Sequence, residues 1–389
     1  MTQRKRVLHL ITTFPQSSGA AENTKLTLNL LDRGRFEPFL GTRPGQSMES
    51  EVAPDVTRVQ LHWLRRTINP MVDMAAVWEI YRVIRRYRFE VVHTHNAKDG
   101  ILGRWAAFFA GVPAIVHTVH NISFEASEVG FVRWMFTVLE RWAARITDRI
   151  LVVSNQNSDK CLRRSIGDPE QYRTVYSGLD LSRYQGNGRT PQQLRSDLKL
   201  PPRPGPWAAW VGRFNPQKDP VTFLHAARIM AEVIPGIQFV LCGDDPLGLP
   251  PQRDPRALVT ELGLRDVVHF LGFRRDITTV LRAVDVVIHS SRYEGMGRVV
   301  CEALACERPV VGTAVDGVME VIISGERGGL LAPPRNPRAL ADAAVTLLRN
   351  PELGMRLAQT GHRWVEDHLS ADSMVRTLEH IYDELTVRR

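Results

Sequence analysis

An α/β protein with two domains, each built on a parallel sheet, is the architecture that the sequence predicts. Short apolar strands alternate with helical segments along nearly the whole chain, which is the pattern of βαβ units. The 389 residues are enough for two domains of ordinary size. A stretch rich in Gly, Pro, Gln and Arg at residues 184–206 interrupts the alternation. We therefore expect a first domain at residues 1–183, a linker at 184–206 and a second domain at 207–372.

The composition is typical of a soluble globular enzyme. Hydrophobic residues make up 43% of the chain and charged residues 24%, and no apolar run approaches the roughly 18 residues that span a bilayer. The basic start of the chain resembles a signal peptide, but the apolar stretch after it is short and contains His9 and Thr12. We predict a first β-strand there instead. Four cysteines without a CxxC pair indicate reduced thiols in a cytosolic protein.

The positive charge of the chain is concentrated in its first half. Residues 1–185 contain 25 lysines and arginines against 18 acidic residues, whereas the remainder contains 25 against 24. A basic domain of this kind suits an anionic ligand or an anionic membrane surface. A simple contribution to solubility explains the asymmetry equally well.

Two predicted strands of the first half end in polar side chains. One ends in His95 and Asn96, and the next ends in His120 and Asn121. Ligands of open α/β sheets collect outside the carboxyl ends of the strands, so these residues are placed to meet a substrate. Histidines satisfied within the sheet are the alternative. The histidines lack the spacing of a metal site, and we expect no bound metal.

Residues 131–150 predict an aromatic helix with several arginines. One interpretation is an amphipathic surface that dips into a membrane interface. The other is an ordinary helix that covers the sheet with a core face of Trp134, Val138, Trp142 and Ile146, spaced four residues apart. We expect the second arrangement.

Arg213 and Lys218 lie five residues apart around a proline-containing turn that follows a predicted strand. Both side chains can therefore point into one cavity. Two cations facing a diphosphate are suited to phosphoryl leaving groups, because negative charge grows on the departing oxygens. A surface turn with two solvated cations is the alternative.

The apolar run at residues 284–289 predicts a buried strand, and residues 290–321 after it predict a glycine-containing turn, a helix from Arg298 and a second buried strand. Glu294 lies in the turn and Glu302 about one turn into the helix. The N–H groups at the helix start, from Gly297 to Val300, are predicted to be unpaired and to form an anion site. A diphosphate bound there would have one carboxylate on each side, and each could accept hydrogen bonds from a sugar hydroxyl.

The motifs EGMGRVVCE, ALACERPVV and DGVME in this segment resemble the signature of family 4 of the retaining glycosyltransferases, which have the GT-B fold. The resemblance implies an α/β protein with two Rossmann-like parallel-sheet domains that face a cleft, and a terminal helix at about 373–389 that crosses back onto the first domain. It extends to the GRFNPQKD element, where Asp219 replaces the usual glycine. A second departure is Gly19-Ala20, where the family has Gly-Gly.

The resemblance also implies roles for individual residues. The expected catalytic residues are Glu294, His120, Arg213 and Lys218. The expected donor-binding residues are Gly19, Arg213, Lys218, Phe273, Arg274, Gly295, Met296, Gly297, Arg298, Val299, Val300 and Glu302. In this scheme Glu294 binds sugar hydroxyls, Glu302 binds the ribose, and backbone groups near Phe273 and Arg274 meet the base. His95 and Asn96 are expected on the acceptor side.

The activity implied is transfer of a hexose-type sugar from a nucleotide diphosphate donor, with UDP as the nucleotide, with retention and without a metal or cofactor. The acceptor is expected to be a glycan or a lipid-linked molecule of cell-envelope or exopolysaccharide synthesis. We expect a cytoplasmic protein, open to peripheral contact with the anionic inner face of the membrane, and no nucleic-acid partner. The alternatives are a nucleotide-sugar epimerase or hydrolase of the same fold, and a non-catalytic nucleotide-sugar-binding partner of a transferase.

Overall fold

The computed structural model describes residues 4–16, 18–65, 67–122, 129–186, 188–243 and 254–387. Within it the chain divides into two compact units. Unit 1 comprises Met1–Gly178 and Ala371–Arg389, and unit 2 comprises Leu179–Ser370. The chain thus passes into unit 2 after Gly178, five residues before the expected boundary, and returns to unit 1 for its last helix.

Unit 1 is built on a seven-stranded parallel sheet with the strand order β3-β2-β1-β4-β5-β6-β7. The strands are β1 (Lys5–Leu10), β2 (Phe36–Thr42), β3 (Thr57–Gln60), β4 (Val91–His95), β5 (Ala114–Val119), β6 (Arg149–Val152) and β7 (Tyr172–Thr174). The helices between them are α1 (Gly19–Leu30), α2 (Pro70–Tyr87), α3 (Ala97–Ala110), α4 (Gly130–Ala144) and α5 (Asn155–Leu162). The central strands are buried along their whole length because helices cover both faces of a parallel sheet.

Two glycines allow α3 to approach the sheet closely. A Cβ on Gly100 would lie 2.5 Å from Cε1 of His117, and a Cβ on Gly103 would collide with the side chain of Leu10. Because these positions have no side chain, α3 packs directly against the ends of β4 and β5. The polar residues at those strand ends are therefore enclosed.

Unit 2 is built on a six-stranded parallel sheet with the order β10-β9-β8-β11-β12-β13. The strands are β8 (Trp207–Val211), β9 (Gln238–Cys242), β10 (Val268–Gly272), β11 (Val286–His289), β12 (Val310–Thr313) and β13 (Gly329–Ala332). The helices are α6 (Pro191–Asp197), α7 (Pro220–Val233), α8 (Pro255–Glu261), α9 (Ile277–Arg282), α10 (Arg298–Ala305), α11 (Val318–Val321), α12 (Pro337–Arg349) and α13 (Pro351–His368). The two units therefore share one Rossmann-like topology.

The last helix, α14 (Ala371–Val387), completes the core of unit 1. Its apolar face, which includes Met374, Leu378 and Tyr382, packs with residues of β1, β4, β5 and α1. The two ends of unit 2 lie side by side, because the N–H of Leu179 donates to the carbonyl of Leu369 at 2.7 Å.

The segment expected to be a linker is part of unit 2. Tyr184 is buried, and its carbonyl accepts a hydrogen bond from Arg282. Thr190 caps α6 with a reciprocal capping box, which explains why a helix forms in this Gly- and Pro-rich stretch. Arg195 of α6 then donates to the carbonyl of Ala283 at 2.7 Å. These contacts fix the described part of residues 184–206 on unit 2.

The orientation of α4 differs from the expected one. Trp134 and Trp142 are 62% and 57% exposed, and the buried face instead carries Thr137, Glu140, Ala143 and Ala144. Glu140 pairs with the fully buried Arg104 of α3 at 2.6 Å, and the alanines allow close packing. The predicted core face was therefore wrong. In the described parts of the chain, no helix combines the length and apolar character needed to cross a bilayer.

Candidate functional site

Each sheet reverses its strand order beside its first strand. In unit 1 the reversal lies between β1 and β4, and in unit 2 between β8 and β11. Ligands of open α/β folds bind outside the carboxyl ends of the strands at this switch point. Most of the candidate residues follow these four strands directly.

The loop after β8 holds Lys218 beside the strand ends of unit 2. The backbone of Gly212 contacts Gly243 so closely that a side chain at Gly243 would collide with the Gly212 carbonyl. Ser290, which follows β11, donates to the carbonyls of Lys218 and Asp219 at 2.9 and 2.8 Å. These contacts anchor the β8 loop on the β11 loop.

Asp219 occupies a left-handed backbone position, with φ of 50°. This conformation favours glycine and is also tolerated by aspartate, which explains why the family's glycine can be replaced here. The carboxylate of Asp219 caps α7 at Thr222 and pairs with Arg292 at 2.9 Å. The replacement therefore adds a second link between the β8 and β11 loops.

Glu294 is buried and is held by several polar contacts. Its Oε1 accepts from Nζ of Lys218, from Nε2 of His289 at 3.1 Å and from the hydroxyl of Ser291 at 2.7 Å. Its backbone N–H donates to Asp316 at 2.9 Å. The other carboxylate oxygen, Oε2, has no partner among the described residues and is the atom left for a ligand.

The environment of Glu294 keeps it ionised. Burial alone would raise the pKa of this carboxyl, but Lys218 and His289 outweigh burial and hold the pKa well below its usual range. Glu294 can therefore accept hydrogen bonds from hydroxyl groups at any physiological pH.

Only some of the backbone N–H groups at the start of α10 are available to a ligand. Gly297 has φ of 76°, and a Cβ there would lie 2.8 Å from Val318. The N–H of Val300 donates to the carbonyl of Gly297 at 2.8 Å, so the expectation that it is unpaired was wrong. This bond closes a tight first turn. In the described chain, no backbone carbonyl outside the helix accepts from the N–H groups of Gly297 and Val299, which remain the candidates for anion binding.

The other predicted donor-binding residues of unit 2 lie around the same strand ends. Glu302 pairs with Arg298 at 3.0 Å, and burial together with Glu302 raises the pKa of Tyr184. Arg213 is half-buried, and its guanidinium has no side-chain partner among the described residues. Phe273 follows β10 and is 45% exposed.

Three further predicted residues of unit 2, Arg274, Gly295 and Met296, are held by neighbouring residues. The guanidinium of Arg274 is bound by both oxygens of Asp276, at 2.7 and 2.9 Å, which leaves its backbone for a ligand. Gly295 and Met296 face Gly317 so closely that a side chain there would collide with the loop. The loop geometry therefore depends on a glycine of the DGVME motif.

In unit 1, Gly19 is exposed at the first position of α1, which Ser18 caps. Ala20, at the family's second glycine position, is buried. Asn96 is half-buried, has φ of 59° and lines a small pocket together with His117 and Asn121. The contacts of the described residues of unit 1 do not test whether these residues bind a donor, and their roles stay predictions.

His95 is not available for the direct contact that was expected. It is 2% exposed, and its ring nitrogens bond to His9 and His120, each at 3.0 Å. Burial lowers the pKa of His9 to about 3 and that of His120 to about 4. Burial also lowers the pKa of His93 and His95 well below the usual range. The strand-end histidines are therefore neutral.

His9, His93 and His95 bring one nitrogen each to within 4.8 Å of one another, a grouping that could hold a metal ion. Local spacing did not reveal it because His9 lies in the first strand. In unit 1 the sequence also missed Asp99, which is fully buried and accepts from the N–H of Thr12 at 2.8 Å. Burial raises the pKa of Asp99 to about 7.

In unit 2 the sequence missed three partners of Glu294: His289, Ser291 and Asp316. His289 is the last residue of β11, so its position at a strand end was a usable signal. The contacts themselves were not foreseeable without the strand order.

Two family comparisons together cover most of the chain. Residues 18–178 match the family described as Glycosyl transferase 4-like domain, and residues 199–364 match Glycosyl transferases group 1.

Similar proteins occur in several bacteria. The UDP-Gal:alpha-D-GlcNAc-diphosphoundecaprenol alpha-1,3-galactosyltransferase of Escherichia coli is 30% identical over 324 residues, which cover 82% of this chain and 81% of that protein. A D-inositol 3-phosphate glycosyltransferase of Saccharomonospora viridis is 30% identical over 76% of this chain and 69% of its own length.

Solved structures show the same fold. Anabaena HepE in complex with UDP and glucose has a TM-score of 0.82 and 21% identity, and covers 98% of this chain and 100% of its own. Sucrose-phosphate synthase from Thermosynechococcus elongatus has a TM-score of 0.84 and 23% identity, and covers 99% of this chain and 100% of its own.

Proposed function

The chain belongs to the group 1 glycosyltransferases, in family 4 with the GT-B fold, and we propose that it transfers a hexose-type sugar from a UDP-sugar with retention at the anomeric carbon. Use of a nucleotide sugar follows from the family. The names of similar proteins support the finer assignment: one is a UDP-Gal-dependent galactosyltransferase, and another was solved with UDP and glucose. The proposed acceptor is a glycan or a lipid-linked diphosphate saccharide of cell-envelope or exopolysaccharide synthesis.

The observation that carries the proposal is the contact between Lys218 and Glu294 at the switch point of unit 2. The two residues are 76 positions apart, and β8 and β11 bring them together beside the start of α10. The arrangement offers a cation and helix N–H groups to a diphosphate and a carboxylate to the adjacent sugar.

In the proposed reaction Arg213 and Lys218 hold the diphosphate, with help from the N–H groups of Gly297 and Val299. These donors stabilise the negative charge that develops as the diphosphate departs, so the mechanism requires no metal ion. Glu302 accepts hydrogen bonds from the ribose. Glu294 accepts from the sugar hydroxyls through Oε2, because Oε1 is already occupied.

Retention is proposed to proceed without a covalent sugar–enzyme intermediate. Retaining glycosidases use a second carboxylate as a nucleophile, whereas Glu294 is fixed by three donors on one oxygen and functions here as a hydrogen-bond acceptor. The glycosidic C–O bond to the diphosphate breaks through an oxocarbenium-like state. The acceptor hydroxyl then attacks from the same face, and its proton leaves with the departing diphosphate.

Peripheral binding to a membrane is proposed for unit 1, at the cytoplasmic face where a lipid-linked acceptor would lie. The adjacent helices α2, α3 and α4 expose what we call the aromatic surface. It comprises Met71, Met74, Trp78, Phe108, Phe109, Phe131, Trp134 and Trp142. Arg141 of α4 and Arg145, which directly follows α4, are also exposed. Aromatic side chains mixed with arginine are suited to the headgroup region of an anionic membrane.

The double variant Trp134→Ser/Trp142→Ser is expected to weaken binding to vesicles of anionic lipid. Each exposed tryptophan would bury about 100 Å² of apolar surface in the interface, which contributes roughly 2.5 kcal/mol. Co-sedimentation at low and high salt measures the change. Met355→Ser, at an exposed position of unit 2, is the matched control. If the double tryptophan variant bound vesicles as strongly as Met355→Ser, or if the wild type did not bind them, a membrane role for the aromatic surface would be contradicted.

A thermal-shift panel with UDP, GDP and ADP tests the donor assignment. UDP at ~100 times its dissociation constant should add roughly 2.7 kcal/mol to stability, which is a readily measured shift. Arg213→Ala should abolish the shift, whereas Arg228→Ala, at an exposed arginine of α7, should retain it. A preference for GDP or ADP would overturn the UDP assignment.

Product analysis with UDP-sugars then separates transfer from epimerisation or hydrolysis, and the absence of turnover would favour a non-catalytic binding partner.

A further inference from the structure

Six buried side chains of unit 1 form one continuous series of hydrogen bonds, which we call the histidine chain. In order, its members are Thr118, His93, Tyr382, His9, His95 and His120. The links are between 2.6 and 3.4 Å long, and the longest joins the Tyr382 hydroxyl to Nε2 of His9. The members come from β1, β4, β5, the loop after β5 and α14, so the series exists only when unit 1 is folded.

The histidines of the chain are neutral, since burial lowers their pKa values. A neutral imidazole has one N–H donor and one acceptor nitrogen. When both ring nitrogens are hydrogen-bonded, as in His93 and His95, a nitrogen that accepts a hydrogen bond requires the other nitrogen to donate one. The direction of one hydrogen bond therefore sets the direction of every other bond in the series.

Thr118 determines which direction is favoured. Its side chain is 4% exposed, and among the described residues the acceptor that its hydroxyl reaches is Nε2 of His93, at 2.6 Å. If His93 donated instead, the hydroxyl proton of Thr118 would be buried without an acceptor, which is unfavourable. Thr118 therefore donates to His93, and His93 donates from Nδ1 to Tyr382.

The remaining hydrogen bonds of the series are donated in the same direction, towards His120. Tyr382 donates to Nε2 of His9, whose Nδ1–H donates to Nε2 of His95, and Nδ1–H of His95 donates to Nε2 of His120. Nε2 of His120 is consequently an acceptor. Because His120 is neutral, its single proton must be on Nδ1, which has no partner among the described residues.

We propose that the histidine chain holds His120 as the tautomer protonated at Nδ1, so that His120 offers a hydrogen-bond donor, and not a base, to an oxygen of the substrate. Thr118 and Tyr382 are then positioning residues that act through the histidines. The assignment of the tautomer is independent of the reaction. Its catalytic meaning rests on the proposed function, because the sequence resemblance predicts His120 as a catalytic residue and a donor there could orient a hydroxyl of the transferred sugar.

A metal ion on His9, His93 and His95 is the competing use of the same residues. Both ring nitrogens of each of these histidines already have a hydrogen-bond partner within the chain. A metal would have to replace several of those bonds and would break the series before His120. The two uses therefore exclude each other and can be distinguished directly.

Long-range ¹⁵N–¹H NMR of the full-length protein, labelled with ¹⁵N-histidine, reports the protonation of each ring nitrogen. For the wild type we expect Nδ1 of His120 to be protonated and Nε2 unprotonated. Thr118→Val removes the first donor while keeping the side-chain shape, and should convert His120 to a mixture of tautomers. Thr118→Ser keeps the hydroxyl and should restore the wild-type spectrum.

Tyr382→Phe interrupts the series at its longest link and should also produce a mixture at His120, although His120 is not in contact with Tyr382. Tyr81→Phe, which removes a hydroxyl outside the series, is the control. Thermal unfolding shows whether each variant is folded. In the transfer assay Thr118→Val should lower kcat about tenfold, the equivalent of one hydrogen bond, with little change in KM for the donor.

Protonation of His120 at Nε2 in the wild type would overturn the proposal, as would an unchanged His120 ring in both Thr118→Val and Tyr382→Phe. Stoichiometric binding of Zn²⁺ with shifts of His9, His93 and His95 would establish the metal site instead. A protein that shows the expected tautomers but transfers no sugar would leave the histidine chain intact and refute the proposed function alone.

Discussion

Replacing Lys218 by methionine is expected to destabilise the protein by about 3–5 kcal/mol at pH 7, because the buried carboxylate of Glu294 loses its cation. Burial alone raises the pKa of Glu294, and Lys218 is the largest influence that lowers it. A carboxyl with a depressed pKa stabilises the fold above its ordinary pKa of 4.5 and loses that contribution as the pH falls through the folded-state value. The difference from the wild type should therefore be greatest at neutral pH and shrink below 4.5.

Urea unfolding of both proteins at pH 7 and at pH 4 measures this difference. The matched variant Lys218→Met/Glu294→Gln removes the carboxylate of Glu294 as well as the ammonium group of Lys218, and it should recover most of the stability at pH 7. Sugar transfer should stay about 10²–10³-fold lower in both variants, because the leaving group lacks a donor. A destabilisation that is equal at the two pH values would show that lost packing, and not the ion pair, is responsible.

Glu140→Ala is the second change with a large expected effect. Arg104 is fully buried, and its guanidinium bonds to Glu140 at 2.6 Å and to the carbonyl of Gly100 at 2.7 Å. Without Glu140 the buried cation has no counter-charge, and we expect a loss of about 3–5 kcal/mol. Urea unfolding at pH 7 measures the loss.

The double variant Arg104→Met/Glu140→Leu is the control, since replacing both members of a buried ion pair by apolar residues is often neutral or stabilising. It should be clearly more stable than Glu140→Ala. If the two variants were equally unstable, the lost stability would have to come from a cavity between α3 and α4 and not from the unpaired charge.

Local patterns were sufficient to predict the second α/β domain and its loops. The run of apolar residues before Ser290, the glycines at 295 and 297 and the helix formers after Arg298 each correspond to a feature of the structure. Such features are determined by neighbouring residues, so a sequence records them directly.

Features that depend on distant residues were not predictable in this way. The fixation of Glu294 by Lys218 requires β8 and β11 to be neighbours, and Tyr382 reaches His9 across 373 positions. Periodicity failed on α4 because apolar residues were assumed to face the core, whereas the buried Glu140 and its partner determine the orientation. The pairing of the Val300 N–H reflects a tight first turn that helix propensity does not specify.

The path of the chain makes unit 2 an insertion within unit 1. Residues 179 and 370 form a bridge, so the inserted segment starts and ends at one place. A fragment of residues 179–370 therefore keeps its whole sheet, and a short connection could replace it between Gly178 and Ala371. A fragment that stops at Gly178 would instead lack α14, with the apolar face that completes its core and the Tyr382 hydroxyl between His93 and His9. The first half of the sequence is thus not by itself a folding unit.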